Sequence, residues 1–230
     1  MKGKSVIVTG AFGVLGTAVA AALACSGAEV SAIDRATEPS AGFDEALGDG
    51  VFVVGGCDLT DVAAAARGVR SAVERFGRLD ALINIAGGFA WETVAGGDPA
   101  TWDRLWAMNV KTCVNTCRAA IPHLERSGGR IVNIGAGAAV KAAAGMGAYA
   151  ASKGGVHRLT EALAEELKGK VAVNAVLPSI IDTPMNRADM PGADPSKWVS
   201  PGDLSEVILF LASDTARAVT GALVAVNGGV

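Results

Sequence analysis

Ser5-Val6-Ile7-Val8-Thr9-Gly10-Ala11-Phe12-Gly13-Val14-Leu15-Gly16 is the stretch from which the fold is read. A short apolar run meets three glycines at GxxGxxG spacing, and the helical pattern Val14–Ser26 follows at once. In that strand–turn–helix context Gly10 allows the tight turn, Gly13 lets a pyrophosphate approach the backbone, and Gly16 lets the helix pack near the strand. The first amides of the helix then face the anion. Eighteen residues after Gly16, behind the next apolar run, Asp34 stands where a carboxylate accepts hydrogen bonds from both ribose hydroxyls of an adenosine. Together the two features predict a dinucleotide site. Asp34 would repel a 2′-phosphate, while Arg35 beside it would partly offset that repulsion, so NAD(H) is the preferred cofactor and NADP(H) a possible one. Asp58 is read either as an adenine contact or as a residue of a helix N-cap region.

Outward from this unit, apolar runs recur at 5–8, 29–33, 51–54, 81–85, 130–134, 171–176 and 223–226. Most are nearly all apolar, which suits strands covered on both faces. Helical spacing fills 14–26, 61–76, 102–125, 147–167 and 203–212 between them. Such alternation predicts an α/β chain: a single-domain, doubly wound Rossmann fold over 1–230 with about seven parallel strands and helices on both faces. The Pro- and Gly-rich piece 178–201 is the one long irregular segment, expected to be a substrate loop.

Composition narrows the partners. Of 230 residues, 50% are hydrophobic and 19% charged, and 20 Lys and Arg against 23 Asp and Glu give a net charge of −3. No basic footprint exists for nucleic acid or an anionic membrane. Cys25, Cys57, Cys113 and Cys117 form neither a disulfide framework nor a zinc knuckle, and with two histidines no metal site is expected. Reduced, buried thiols are the default. Met1–Lys4 and the apolar stretch to Ala24-Cys25 look superficially like a secretion leader, but Thr9-Gly10, Gly13 and Gly16 break it, so a soluble cytoplasmic protein is expected.

The single tyrosine, Tyr149, precedes Lys153 by four residues, so both project from one helix face. An adjacent ammonium stabilises phenolate and would bring the phenol toward the operating pH as a proton donor. That chemistry suits reduction of a polar double bond, with hydride delivered to one atom and the Tyr149 proton to the other. Taken alone, the pair is also compatible with an ordinary exposed Tyr–Lys contact.

With the glycine loop, this pair resembles the short-chain dehydrogenase/reductase family over nearly the whole chain. Further matching marks are Asp58, Asn84-Ile85-Ala86-Gly87, Asn109, Asn174, Pro178, Thr183 and Asn227-Gly228-Gly229. The resemblance implies catalytic Tyr149, Lys153 and Asn109: Lys153 holds the nicotinamide ribose, and Asn109 supports a helix kink and a water relay. It implies a cofactor site of Gly10, Phe12, Gly13, Val14, Leu15 and Gly16, then Asp34, Arg35, Asp58 and Leu59. Ala86, Gly87, Tyr149, Lys153, Pro178, Ile181 and Thr183 complete it, Thr183 at the carboxamide. It also implies a homodimer or homotetramer through the small-residue helix of Tyr149 (Ala148, Ala150, Ala151, Gly154, Gly155, Ala162) and the long helix before it.

Three departures qualify the resemblance. Val14 stands where the usual loop has glycine, Ser179 follows Pro178, and the family's catalytic serine, thirteen residues before the tyrosine, falls on Ala136. The dihydropteridine reductase branch shares these departures. It is also similar in Ala86-Gly87-Gly88-Phe89, in the segment through His157, and in Asp182–Arg187 continuing to Trp198. Quinonoid dihydropterin is therefore the leading substrate, the alternatives being a general carbonyl reductase or alcohol dehydrogenase and a non-catalytic NAD-binding regulator. Phe89, Ala136, Met146 and Trp198 are the expected substrate contacts, with Met185 nearby. Trp102 and Trp106, at i,i+4, are read as core, and Cys113 and Cys117 as packing. His157 is read as structural, His123 lacks an acidic partner, and no GxSxG elbow points to a hydrolase.

Overall fold

The structure, a computed structural model, describes residues 1–39, 42, 43, 47 and 50–230. Seven strands, β1 (Ser5–Thr9), β2 (Glu29–Ile33), β3 (Val51–Val54), β4 (Ala81–Asn84), β5 (Arg130–Ile134), β6 (Ala172–Pro178) and β7 (Leu223–Val226), form one sheet. All neighbours are parallel, in the order β3-β2-β1-β4-β5-β6-β7. The chain winds outward from β1 to β3, then restarts on the other side with β4. The crevice at the carboxyl ends of β1 and β4 is thus the switch point where doubly wound sheets take ligands.

Strand alternation builds the two layers. Val6 and Val8 face one core with Leu15 and Val19 of α1 (Val14–Cys25) and Leu204 and Ile208 of α7 (Pro201–Ala212). Ile7 faces the other with Val69 of α2 (Val62–Phe76), Cys117 of α4 (Thr112–Ser127) and Leu163 of α5 (Gly147–Glu166). Double coverage suits strands that are largely apolar, and the uncharged polar side chains that the sheet does carry, Ser5, Thr9, Ser31, Asn84, Asn133 and Asn174, are buried with it. Asp61 caps α2, its carboxylate accepting from the Ala64 amide at 2.6 Å.

The expected helix 102–125 is instead three pieces: α3 (Pro99–Trp106), a π turn over Ala107–Lys111, and α4. Segment 178–201 is also more ordered than expected. Ile181 bridges Val199, and the Asp182 amide donates to the Val199 carbonyl at 2.8 Å, closing the base of the loop. Within it Thr183 caps a short helix, α6 (Pro184–Asp189), with Pro184 in the first turn. Trp102 and Trp106 do not enter the core: at 43% and 53% exposure they stand over Gly147 and Gly155 of α5. Those glycines leave room for the indoles, so the small residues of α5 are partly covered by their own chain. Cys25 is exposed at the end of α1, whereas Cys57, Cys113 and Cys117 are buried. Among the described residues no helix is long and apolar enough to cross a membrane.

Candidate active site

A cleft of about 780 Å³ opens at the switch point. The loop Gly10, Phe12, Gly13, Val14, Leu15 and Gly16 forms one wall, and Asp34, Arg35, Asp58 and Leu59 close the far end. Ala86 and Gly87 line it from behind β4, and Thr183 and Met185 from α6 and its cap. Glycine is required at two points of the loop. Gly10 has φ +64°, and a Cβ on Gly16 would come within 2.2 Å of the Gly10 carbonyl oxygen. Gly13 meets nothing closer than that same oxygen, at 3.5 Å, so its open side faces the cleft.

Asp34 fastens the loop to β2: one carboxylate oxygen accepts from the Phe12 amide and the other from the Ala36 amide, each at 3.0 Å. Each oxygen keeps a lone pair for a ribose hydroxyl. Glu38, not anticipated from sequence, adds a second carboxylate to this end, beside Arg35. Asp58 is not the helix cap. Its Oδ1 accepts from the Thr60 amide and hydroxyl at 2.9 and 2.8 Å, which holds its carboxyl below the usual range. Cys57, Thr60, Met108 and Thr112 also line the cleft and were not anticipated. Met108 and Thr112 arrive there through the π turn, whereas Cys57 next to Asp58 was the findable one.

At the other end α5 presents Tyr149 and Lys153 on one face. The Phe89 ring meets the half-buried Tyr149 edge-on, centroids 4.9 Å apart at 78°. Burial pushes the phenol up to about 12, opposite to the lowering expected from the spacing. Burial alone is the cause, and Lys153 does not offset it: its Nζ donates to the Ile134 carbonyl at 2.8 Å, and burial brings its own pKa down to about 8. In the free chain the pair is therefore a protonated phenol beside a buried lysine that loses its proton just above neutrality.

Asn109, in the π turn, ties this end together. Its Oδ1 accepts from the Gly88 amide at 2.9 Å, and its Nδ2 donates to the Gly88 carbonyl at 3.0 Å and to Ser152 Oγ at 2.9 Å. Ser152 Oγ in turn donates to the Tyr149 carbonyl at 2.8 Å. The bulge turns Asn109 out of the helical ladder so that one carboxamide joins the β4 loop to α5.

Ala136 is buried, and its amide donates to His157 Nε2 at 3.3 Å. Pro178 ends β6 and Ile181 is half-buried against Val199, neither lining the cleft. Met146 is half-buried at the start of α5. Trp198, expected as an aromatic wall, is only 7% exposed and lies outside the cleft lining. It packs under the closing turn, where the Gly229 amide donates to the Lys197 carbonyl at 2.8 Å.

A family model described as short chain dehydrogenase matches residues 4–193. The chain belongs to the short-chain dehydrogenase/reductase family. It is an NAD(P)-dependent oxidoreductase of that family. It is 34% identical to 2-(S)-hydroxypropyl-CoM dehydrogenase 3 of Xanthobacter autotrophicus, over 100% of this chain and 97% of the relative. A short-chain dehydrogenase/reductase (glucose/ribitol dehydrogenase) of Brucella melitensis superposes with TM-score 0.93 at 31% identity, covering 100% and 97% of the two chains. Carveol dehydrogenase of Mycobacterium avium, solved in complex with NAD, superposes with TM-score 0.88 at 30% identity over 100% and 98%. Against the family pattern, the position normally occupied by serine is here a buried alanine whose amide is already engaged.

Proposed function

We propose that this short-chain enzyme is an NAD(H)-preferring reductase of planar, conjugated, electron-poor acceptors, quinonoid dihydropterin being the leading member. The observation that carries this reading is that Ala136 offers neither a hydroxyl nor a free amide, which leaves Tyr149 as the proton donor without a helper. A saturated ketone concentrates its developing negative charge on one oxygen and gains most from a second donor. A conjugated ring spreads that charge. When bound, the nicotinamide supplies the hydride, carrying both electrons to one atom of the acceptor. Tyr149 Oη gives its proton to a heteroatom of the same conjugated system and recovers one from water. Lys153 and Thr183 hold the nicotinamide end, Asn109 fixes the turn behind Tyr149, and Phe89 supplies a flat apolar wall. The local likeness to the dihydropteridine reductase branch from Asp182 onward supports the same class.

Rapid NADH oxidation on freshly generated quinonoid dihydropterin is the expected result. Turnover confined to simple ketones, aldehydes or secondary alcohols would instead establish the second reading, a carbonyl reductase or alcohol dehydrogenase. Similarity to the carveol and 2-(S)-hydroxypropyl-CoM dehydrogenases favours that alternative.

Asp34 and Glu38 both disfavour a 2′-phosphate. Asp34→Ala should weaken NADH binding by about tenfold or more, the worth of a hydrogen bond to a charged group, and leave NADPH no weaker than before. Equal losses for both would mean that Asp34 acts only by holding the Phe12 amide.

The kcat/KM profile reports groups of the free enzyme. Tyr149 stays protonated across the neutral range, whereas Lys153 is cationic below its pKa of about 8 and neutral above it. Reduction should therefore fall as pH rises through about 8. A profile flat well into the alkaline range would show that the charge on Lys153 is not needed.

The small residues of α5 that remain open, Ala151, Gly154 and Ala162, lie on the helix that Trp106 flanks, and this face fits a second copy of the chain. A homodimer or homotetramer is expected by light scattering, and a monomer at working concentration would refute it.

A further inference from the structure

We propose that His157 is a positioning residue for the catalytic end: as a neutral imidazole it holds the turn after β5, and protonation releases that turn. The inference rests on the proposed role of Tyr149 and Lys153 but not on the identity of the acceptor. Three consecutive backbone groups at the end of β5 each have a fixed partner. The Ile134 carbonyl accepts from Lys153 Nζ at 2.8 Å, the Gly135 amide donates to the Val176 carbonyl at 2.9 Å, and the Ala136 amide donates to His157 Nε2 at 3.3 Å. Lys153 and His157 are one turn apart on α5 and both buried, so two successive turns of the Tyr149 helix grip this short segment of backbone.

The grip is close. A Cβ on Gly135 would lie 2.5 Å from His157 Nε2 and 2.8 Å from its Cδ2, so the imidazole packs directly on backbone with Leu177 alongside. Because Nε2 accepts, the ring proton of the neutral form belongs on Nδ1. Burial first, then the charges of Arg158 and Lys153, hold the imidazole neutral against the weaker pull of Glu161. From β5 and β6 the residues that face it, Gly135, Ala136 and Leu177, carry no charge.

Imidazolium has two donors and no acceptor. Once His157 is protonated, the buried Ala136 amide faces another N–H, and a second cation stands near Lys153. The turn must shift, and with it the neighbouring Ile134 carbonyl that anchors Lys153. The lesion is in the geometry of proton transfer, not in the cleft where Gly10 to Asp34 lie.

The test compares wild type, His157→Gln, whose carboxamide oxygen accepts without titrating, and His157→Leu, which cannot accept. Each is assayed with whichever acceptor the wild type reduces, pterin or ketone, so failure of the pterin reading does not disturb it. Wild-type kcat should fall on the acid side, below the ordinary histidine range. His157→Gln should keep most of its neutral activity and lose that acid limb. His157→Leu should lose about tenfold in kcat with NADH affinity by fluorescence titration unchanged. An acid limb that persists in His157→Gln, a Gln variant as impaired as Leu at neutral pH, or a folded Leu variant with wild-type turnover would each overturn the proposal. If His157→Leu does not fold by circular dichroism, the Gln profile decides alone.

Discussion

Tyr149→Phe is expected to lower turnover by about 10²–10⁴-fold while leaving NADH affinity unchanged, the usual worth of a positioned proton donor. The substitution removes one oxygen and keeps the ring, so the edge-on contact with Phe89 at 4.9 Å survives. Ser152 and Asn109 hold this turn of α5 through the Tyr149 carbonyl, not through its phenol, so the turn also survives. The substitution leaves the residues that line the cofactor cleft untouched, and NADH titration should therefore match the wild type. Activity close to wild type in the variant would mean that the proton comes from water or from another group.

The second large effect is a gain. Ala136→Ser places a hydroxyl where the family carries one. Its amide can keep its bond to His157, so the added Oγ is free to orient a carbonyl oxygen. Removing one such donor from a preorganised site typically costs about 10²–10³ in rate, so ketone reduction should rise by about 10²-fold. The conjugated acceptor, whose charge is spread over the ring, should change by less than about tenfold on the same reasoning. If both substrates rose together, the missing serine would not be what sets the substrate class.

The parallel sheet was legible because the inner strands are covered on both faces and read as mostly apolar runs between helical stretches. The strand ends agree with the sequence reading to within two residues: β1 extends to Thr9 and β6 to Pro178. The π turn was not legible in the apolar spacing; only the family resemblance, which implies a kink at Asn109, pointed to it. One extra residue in a helical turn leaves composition and apolar spacing almost unchanged, so 102–125 reads as one helix. Spacing placed Tyr149 and Lys153 on one face but could not show that the lysine turns to the Ile134 carbonyl or that burial raises the phenol instead of lowering it. Trp102 and Trp106 were misread because an apolar pair at i,i+4 is commonly core, whereas here glycines of α5 make room for indoles at the surface. Trp198 erred the other way, a loop residue buried by the closing turn. The partner of His157 is 21 residues away in sequence and appears only once β5 and α5 are packed together.

The central claim is that a site with Tyr149 as its unaided donor prefers a conjugated acceptor. It is tested most directly by the ratio of kcat/KM for quinonoid dihydropterin to that for saturated ketones, measured with the wild-type enzyme and NADH at neutral pH. A ratio of about 10² or more is predicted, matching the worth of the absent donor. A ratio near one, or in favour of the ketones, would contradict it.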